Sequence, residues 1–212
     1  MLKRRFTLSS IALASLLLLA CGLPAGADYG VESNRPLSDP HQAKIDDRTV
    51  GTWRAVMKGK TYYLHVGTGN VVGKSNWMEL VLVNPGEKPL FYLHHKIGFP
   101  STLGDQSFFN VANLSVLVSQ LRGTTTKELT SSVGKYDILK YNVTEEYLDV
   151  WPADQKFIRE AIQTGKIKGA EATIDDTMEN LGRFIAAPDS KLFGNKIRYL
   201  RVKAPEAEPK SK

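Results

Sequence analysis

Val50-Gly51-Thr52-Trp53-Arg54-Ala55-Val56-Met57-Lys58-Gly59-Lys60-Thr61-Tyr62-Tyr63-Leu64-His65-Val66 is the stretch on which the fold turns. Side chains alternate across a strand. Trp53, Ala55 and Met57 therefore share one face, with Thr52, Arg54 and Lys58 on the other. Gly59-Lys60 suits a two-residue hairpin loop with glycine first. Beyond it, Tyr62, Leu64 and Val66 oppose Tyr63 and His65. Two alternating runs joined in this way predict an antiparallel hairpin with one buried face.

Downstream, Trp77 to Val83 predicts a third strand, stopped by Asn84-Pro85-Gly86, and Leu90 to Ile97 a fourth that pairs back. Ser107 to Val111 predicts a shorter fifth. Consecutive short strands with turn signals between them form a meander that curls or closes. Leu114, Leu117, Val118 and Leu121 have the spacing of a helix face. Thr124 to Gly134 reads as a polar loop, followed by strands at Lys135–Val143 and Glu146–Trp151. Pro152-Ala153-Asp154 opens a helix with Phe157, Ile158, Ala161 and Ile162 inward. Asp176 and Glu179 have the spacing of a capping box for a second helix. Lys196 to Val202 is the closing strand. The expectation is a mainly β fold with added helices: a meander closing into a barrel, with C-terminal-half helices packed against it.

Upstream, the domain is preceded by two segments of different character. Lys3, Arg4 and Arg5 precede the apolar run Ile11–Ala20, which is about half of the roughly 20 residues a spanning helix needs. This is the shape of a secretory signal peptide. Leu18-Leu19-Ala20-Cys21 resembles the lipobox of bacterial lipoproteins. The resemblance implies removal of residues 1–20 and acylation of Cys21, the chain's only cysteine. An unpaired thiol is a liability in an oxidising compartment, and acylation would remove it. Gly22 resembles an outer-membrane sorting context, so a lipid-anchored protein facing the periplasm is expected. Residues 21–47, broken by Pro24, Pro36 and Pro40, read as a lipidated terminus and flexible tether. The alternative is an ordered arm packing through Val31 and Leu37. The domain then spans residues 48–203, and 204–212 form a solvated tail.

Gly51-Thr52-Trp53 resembles the G-x-W signature of lipocalins. In that family the tryptophan closes one end of an eight-stranded barrel and a C-terminal arginine packs over it, a part that Arg198 or Arg201 could play here. The resemblance implies a lipocalin-like barrel. Trp53, Tyr62, Trp77 and Tyr92 are the candidate pocket or core aromatics.

Chemistry is sparse. The whole chain carries +6, and loss of three basic residues with residues 1–20 leaves +3, too mild for a nucleic-acid partner. His94 and His95 are adjacent on a strand and point to opposite faces, so one metal cannot easily take both. No nucleophile–base pair, metal set or cofactor loop can be assembled, so no catalytic residue, metal ligand or cofactor is assigned. Two readings remain: a non-catalytic binder of a small apolar ligand or lipid, or a lipoprotein with a side-chain-filled barrel that docks an envelope protein.

Overall fold

In a computed structural model, which describes residues 30–68, 76–85, 91–114, 125–187 and 191–203, the alternating hairpin is the first part of a closed barrel. β1 is Val31–Ser33, β2 Gly51–Met57, β3 Lys60–Gly67, β4 Met78–Pro85, β5 Phe91–Leu103 and β6 Gln106–Leu114. α1 (Thr126–Ser132) precedes β7 (Val133–Val143) and β8 (Tyr147–Trp151). α2 (Gln155–Gln163), β9 (Gly169–Ala170), β10 (Thr173–Ile174), α3 (Met178–Ala186) and β11 (Ile197–Arg201) complete the chain order. The meander β2 to β8 is closed by β11, which lies between β8 and β2, and by the β6–β7 pairing, giving eight antiparallel strands.

The first hairpin differs in one detail from the sequence expectation. Met57 pairs with Lys60, so Lys58 and Gly59 are the loop residues, at φ 51° and 73°. Two positive φ angles define a type I′ turn, whose twist matches that of the flanking strands. Trp53, Ala55 and Val66 face the barrel interior, while Arg54, Val56, Tyr63 and His65 face solvent. Clean alternation here reflects a wall covered on one side only.

β5, β6 and β7 are covered on both sides, and their sequences lose the alternation accordingly. Phe109, Val111 and Tyr141 point inward, Tyr141 stacking on Phe109 at 4.2 Å. On the outer face, Phe108 and Ile138 are buried under Ile158 and Ala161 of α2 and Leu181 and Ile185 of α3. Next to them, Trp77, Ile97, Phe99, Ala112 and Tyr136 form a separate outer core with Leu129 of α1. β5 therefore runs through Gly98 and Pro100, well past the expected end at Ile97. Gly98 is required there, because a Cβ would lie 2.7 Å from the Asn110 carbonyl oxygen.

Three expectations need correction. Residues 30–47 are not a flexible tether: β1 pairs with β7, short 3₁₀ turns follow at Pro40–Gln42 and Asp47–Thr49, and Val31 and Leu37 are buried. The cause is a buried polar anchor. Asn110 Oδ1 accepts from the Leu37 N–H at 2.7 Å, while Asn110 Nδ2 donates to Ser101 Oγ at 2.6 Å. Ser101 in turn lies 2.6 Å from Ser38 Oγ. The expected polar loop before Gly134 contains α1, started by a capping box between Thr125 and Glu128. In α3 the cap is Thr177, one residue after Asp176, whose carboxylate instead accepts from Lys168 N, Thr177 N and Asn180 Nδ2. The expected helix beyond Leu114, the segment 1–29 and the tail 204–212 lie outside the described residues.

Arg198 faces out of the barrel. Its Nε and Nη2 donate to Asp149 at 2.7 Å each, Lys196 Nζ donates at 3.0 Å, and the guanidinium lies 3.9 Å from the centre of the Tyr147 ring. Chiefly through the Arg198 bonds, the Asp149 carboxyl is held below the ordinary carboxylate range. A folded-state pKa below the unfolded one gives stabilisation that is complete above about pH 4 and lost as pH falls through the depressed value. Asp149→Asn is thus expected to flatten the acid limb of melting temperature against pH. Parallel acid limbs for variant and parent would show that this pair does not control it.

A capped barrel with an apolar cavity

One end of the barrel is shut by Trp53. Its ring is fully buried, and its Nε1 donates to the Thr49 carbonyl at 2.8 Å. Arg201 lies over the ring, its guanidinium carbon 4.0 Å from the centroid. The fork of donors then ties β11 to two other backbone segments, the turn before β8 and the entry to β2: Nε to Glu145 O at 2.6 Å, Nη1 to Val50 O at 2.9 Å and Nη2 to Arg48 O at 2.6 Å. Of the two candidate arginines, Arg201 is the one over Trp53. Gly51 belongs to the same device. It sits at φ 138°, and a Cβ there would lie 2.8 Å from Arg201 Nη1.

Towards the opposite end the interior is not filled. A cavity of about 260 Å³ lies among Leu64, Leu80, Leu82, Leu139, Val150 and Ile197, with Phe109, Val111 and Tyr199 also in its lining. Around the Trp53 end, Val66, Met78 and Leu148 are wholly buried, whereas Leu64, Leu82, Leu139, Val150 and Ile197 keep partial exposure. The cavity therefore opens away from the cap.

Its polar residues are Asn84, His94, Lys96 and Asp137. Lys96 Nζ donates to Asn113 Oδ1 at 2.7 Å. Asn84 Oδ1 and His94 Nε2 are buried and have no hydrogen-bond partner among the described residues. His94 faces the cavity while His95 points out to Glu79, with Nε2 and Oε2 3.3 Å apart. Among the described residues no group of three or more His, Cys, Asp or Glu side chains is placed to hold a metal.

The aromatics singled out from the sequence are scattered. Trp53 is the cap, Tyr62 packs on the inner cluster without lining the cavity, and Trp77 lies outside the barrel against Phe99 at 4.9 Å. Tyr92 pairs with Asn84 in the β4–β5 ladder, and its side chain is outside the described residues. The cavity is walled by aliphatic residues that looked like ordinary core. Its polar members were masked by local signals: Asn84 read as a turn residue before Pro85, and His94 as one of a strand pair. Parity along the strand was the available clue, since Leu80, Leu82 and Asn84 share a face, as do His94 and Lys96.

The described residues thus form a closed antiparallel barrel with a capped end and an open apolar cavity. Comparison with protein-family models, curated proteins and solved structures finds no significant match.

Proposed function

We propose that this chain is a bacterial envelope lipoprotein, anchored through acyl chains on Cys21, whose barrel binds a small, largely apolar molecule without turning it over. The cavity beyond the Trp53 cap supports this reading: concave and mostly aliphatic with a few convergent polar groups is the usual form of a small-molecule site. Its volume favours a compact ligand over a whole lipid, with room for roughly nine water-sized groups.

The test uses the mature chain, residues 21–212, purified without denaturation, extracted with organic solvent and analysed by mass spectrometry. A small hydrophobic metabolite in near-stoichiometric amount is expected. Returning it at about 100 times its Kd should stabilise the fold by about 2.7 kcal/mol, a rise in melting temperature of roughly 5–10 °C for a chain of this size. Tryptophan emission is a poor reporter, because none of Trp53, Trp77 and Trp151 lines the cavity. An empty extract, together with no thermal shift across small apolar probes, would transfer support to the docking alternative. That alternative has its own observation: Val56, Tyr63, Leu93 and Leu200 expose apolar surface on the outer wall. The anchor is tested separately. Cys21→Ser should leave unprocessed precursor or release soluble protein, and a variant cut at the same place as the parent that still fractionates with membranes would overturn the acylation reading.

A further inference from the structure

We infer that the cavity selects a ligand of about nine non-hydrogen atoms in all, an apolar body carrying one uncharged donor–acceptor head group, a hydroxyl or a primary carboxamide. The inference rests on the binding reading above and specifies the ligand's chemistry.

The argument starts from Asn84 and His94. They lie on neighbouring strands: His94 is paired with Leu82, two residues before Asn84. Both line the cavity, so they are diagonal neighbours on one face, with backbones about 7–8 Å apart. A single head group between them can meet both. Asn84 Oδ1 accepts only, whereas an imidazole nitrogen donates or accepts according to tautomer. Each is buried without a partner among the described residues. Buried polar atoms are ordinarily satisfied, so two in one cavity mark where a ligand's polar atoms belong. A hydroxyl fits: it donates to Asn84 Oδ1 and accepts from His94 Nε2 when that nitrogen carries the proton. A carboxamide has the same two capacities.

Charge selects against ionic heads. Lys96 and Asp137, of opposite charge, line the same cavity, so a head group of either sign shares it with one like charge as well as one opposite charge. Neither sign has a one-sided welcome, and an uncompensated charge is strongly disfavoured away from water. The aliphatic residues provide the apolar body's surroundings.

The experiment is a calorimetric titration of the mature chain with four probes of matched length: 1-octanol, 1-chlorooctane, octanoate and octylamine. 1-Octanol should bind about tenfold or more tighter than each of the others, the scale of one or two neutral hydrogen bonds. His94→Leu and Asn84→Leu should each remove roughly three- to tenfold of the preference for 1-octanol over 1-chlorooctane. In the parent, the His94 imidazole ¹⁵N resonances should move with 1-octanol and stay in place with 1-chlorooctane. This readout and the parent ranking stand even if a variant fails to fold. Equal binding of 1-octanol and 1-chlorooctane would overturn the head-group inference and leave the apolar binding reading intact. Tightest binding of octanoate would overturn it in favour of Lys96 as the determinant, and tightest binding of octylamine in favour of Asp137. Binding of none of the four would remove both the inference and the reading on which it rests.

Discussion

Trp53→Ala is expected to destabilise the protein by about 3–5 kcal/mol, the range for deleting a large buried aromatic. The ring is fully buried at the barrel's closed end, donates to the Thr49 carbonyl and carries Arg201 on its face. Deleting it leaves a cavity between walls held by ladder pairing on both sides, Trp53 pairing with Leu64 and with Arg201. Such walls relax little, which puts the cost in the upper part of the range. The Arg201 guanidinium also loses its stacking partner while keeping its three carbonyl acceptors. Denaturant unfolding would show the midpoint moving with little change in slope. A loss below about 1 kcal/mol would mean that the cap is dispensable. Arg201→Lys should also weaken this end, because an ammonium cannot reproduce a planar fork of donors aimed at three carbonyls.

Asn110→Ala is expected to cost about 2–3 kcal/mol, from a buried Leu37 N–H left without its acceptor and the loss of the bond to Ser101. Asn110 is wholly buried, so water cannot readily replace the lost group. The effect should be spatially polarised. The arm at 34–43 should become cleavable by protease and exchange its Leu37 amide quickly, while amides of β2 and β3 keep their protection. Asn110→Asp should be no milder. It preserves an acceptor for Leu37 but brings a buried carboxylate towards the Phe99 carbonyl, to which Asn110 Nδ2 now donates at 3.3 Å. Unchanged stability and an arm as protected as in the parent would show that apolar contacts of Val31 and Leu37 hold it alone.

The two residues also mark how much was legible in advance. Trp53 was placed by short-range pattern: it alternates with Ala55 in a strand followed at once by its hairpin partner. Asn110 carried no such signal. In Ser107-Phe108-Phe109-Asn110-Val111 it looks like a polar interruption of an apolar run, and only the arrival of Leu37 and Ser101 gives it a role. α1 was legible in principle. Thr125-Thr126-Lys127-Glu128 has the spacing of a capping box, but the preceding threonines and following serines obscured it as a polar loop.

By itself the sequence determined the mainly β class, the faces of β2 and β3, the helices α2 and α3 and the closing strand, because each depends on periodicity or caps within about ten residues. Tertiary structure alone decided which arginine covers Trp53, how the arm attaches and where the cavity lies. Arg201 reaches the carbonyl of Val50 across 151 residues of chain, and the cavity brings together Asn84 and His94 with Asp137 and Ile197. That meeting requires β6 to pair with β7 and β11 with β2. Strand pairing uses backbone groups that nearly every residue carries, so those closures leave almost no mark in side-chain identity. An empty space leaves still less, since it is set by how far opposing side chains fall short of one another.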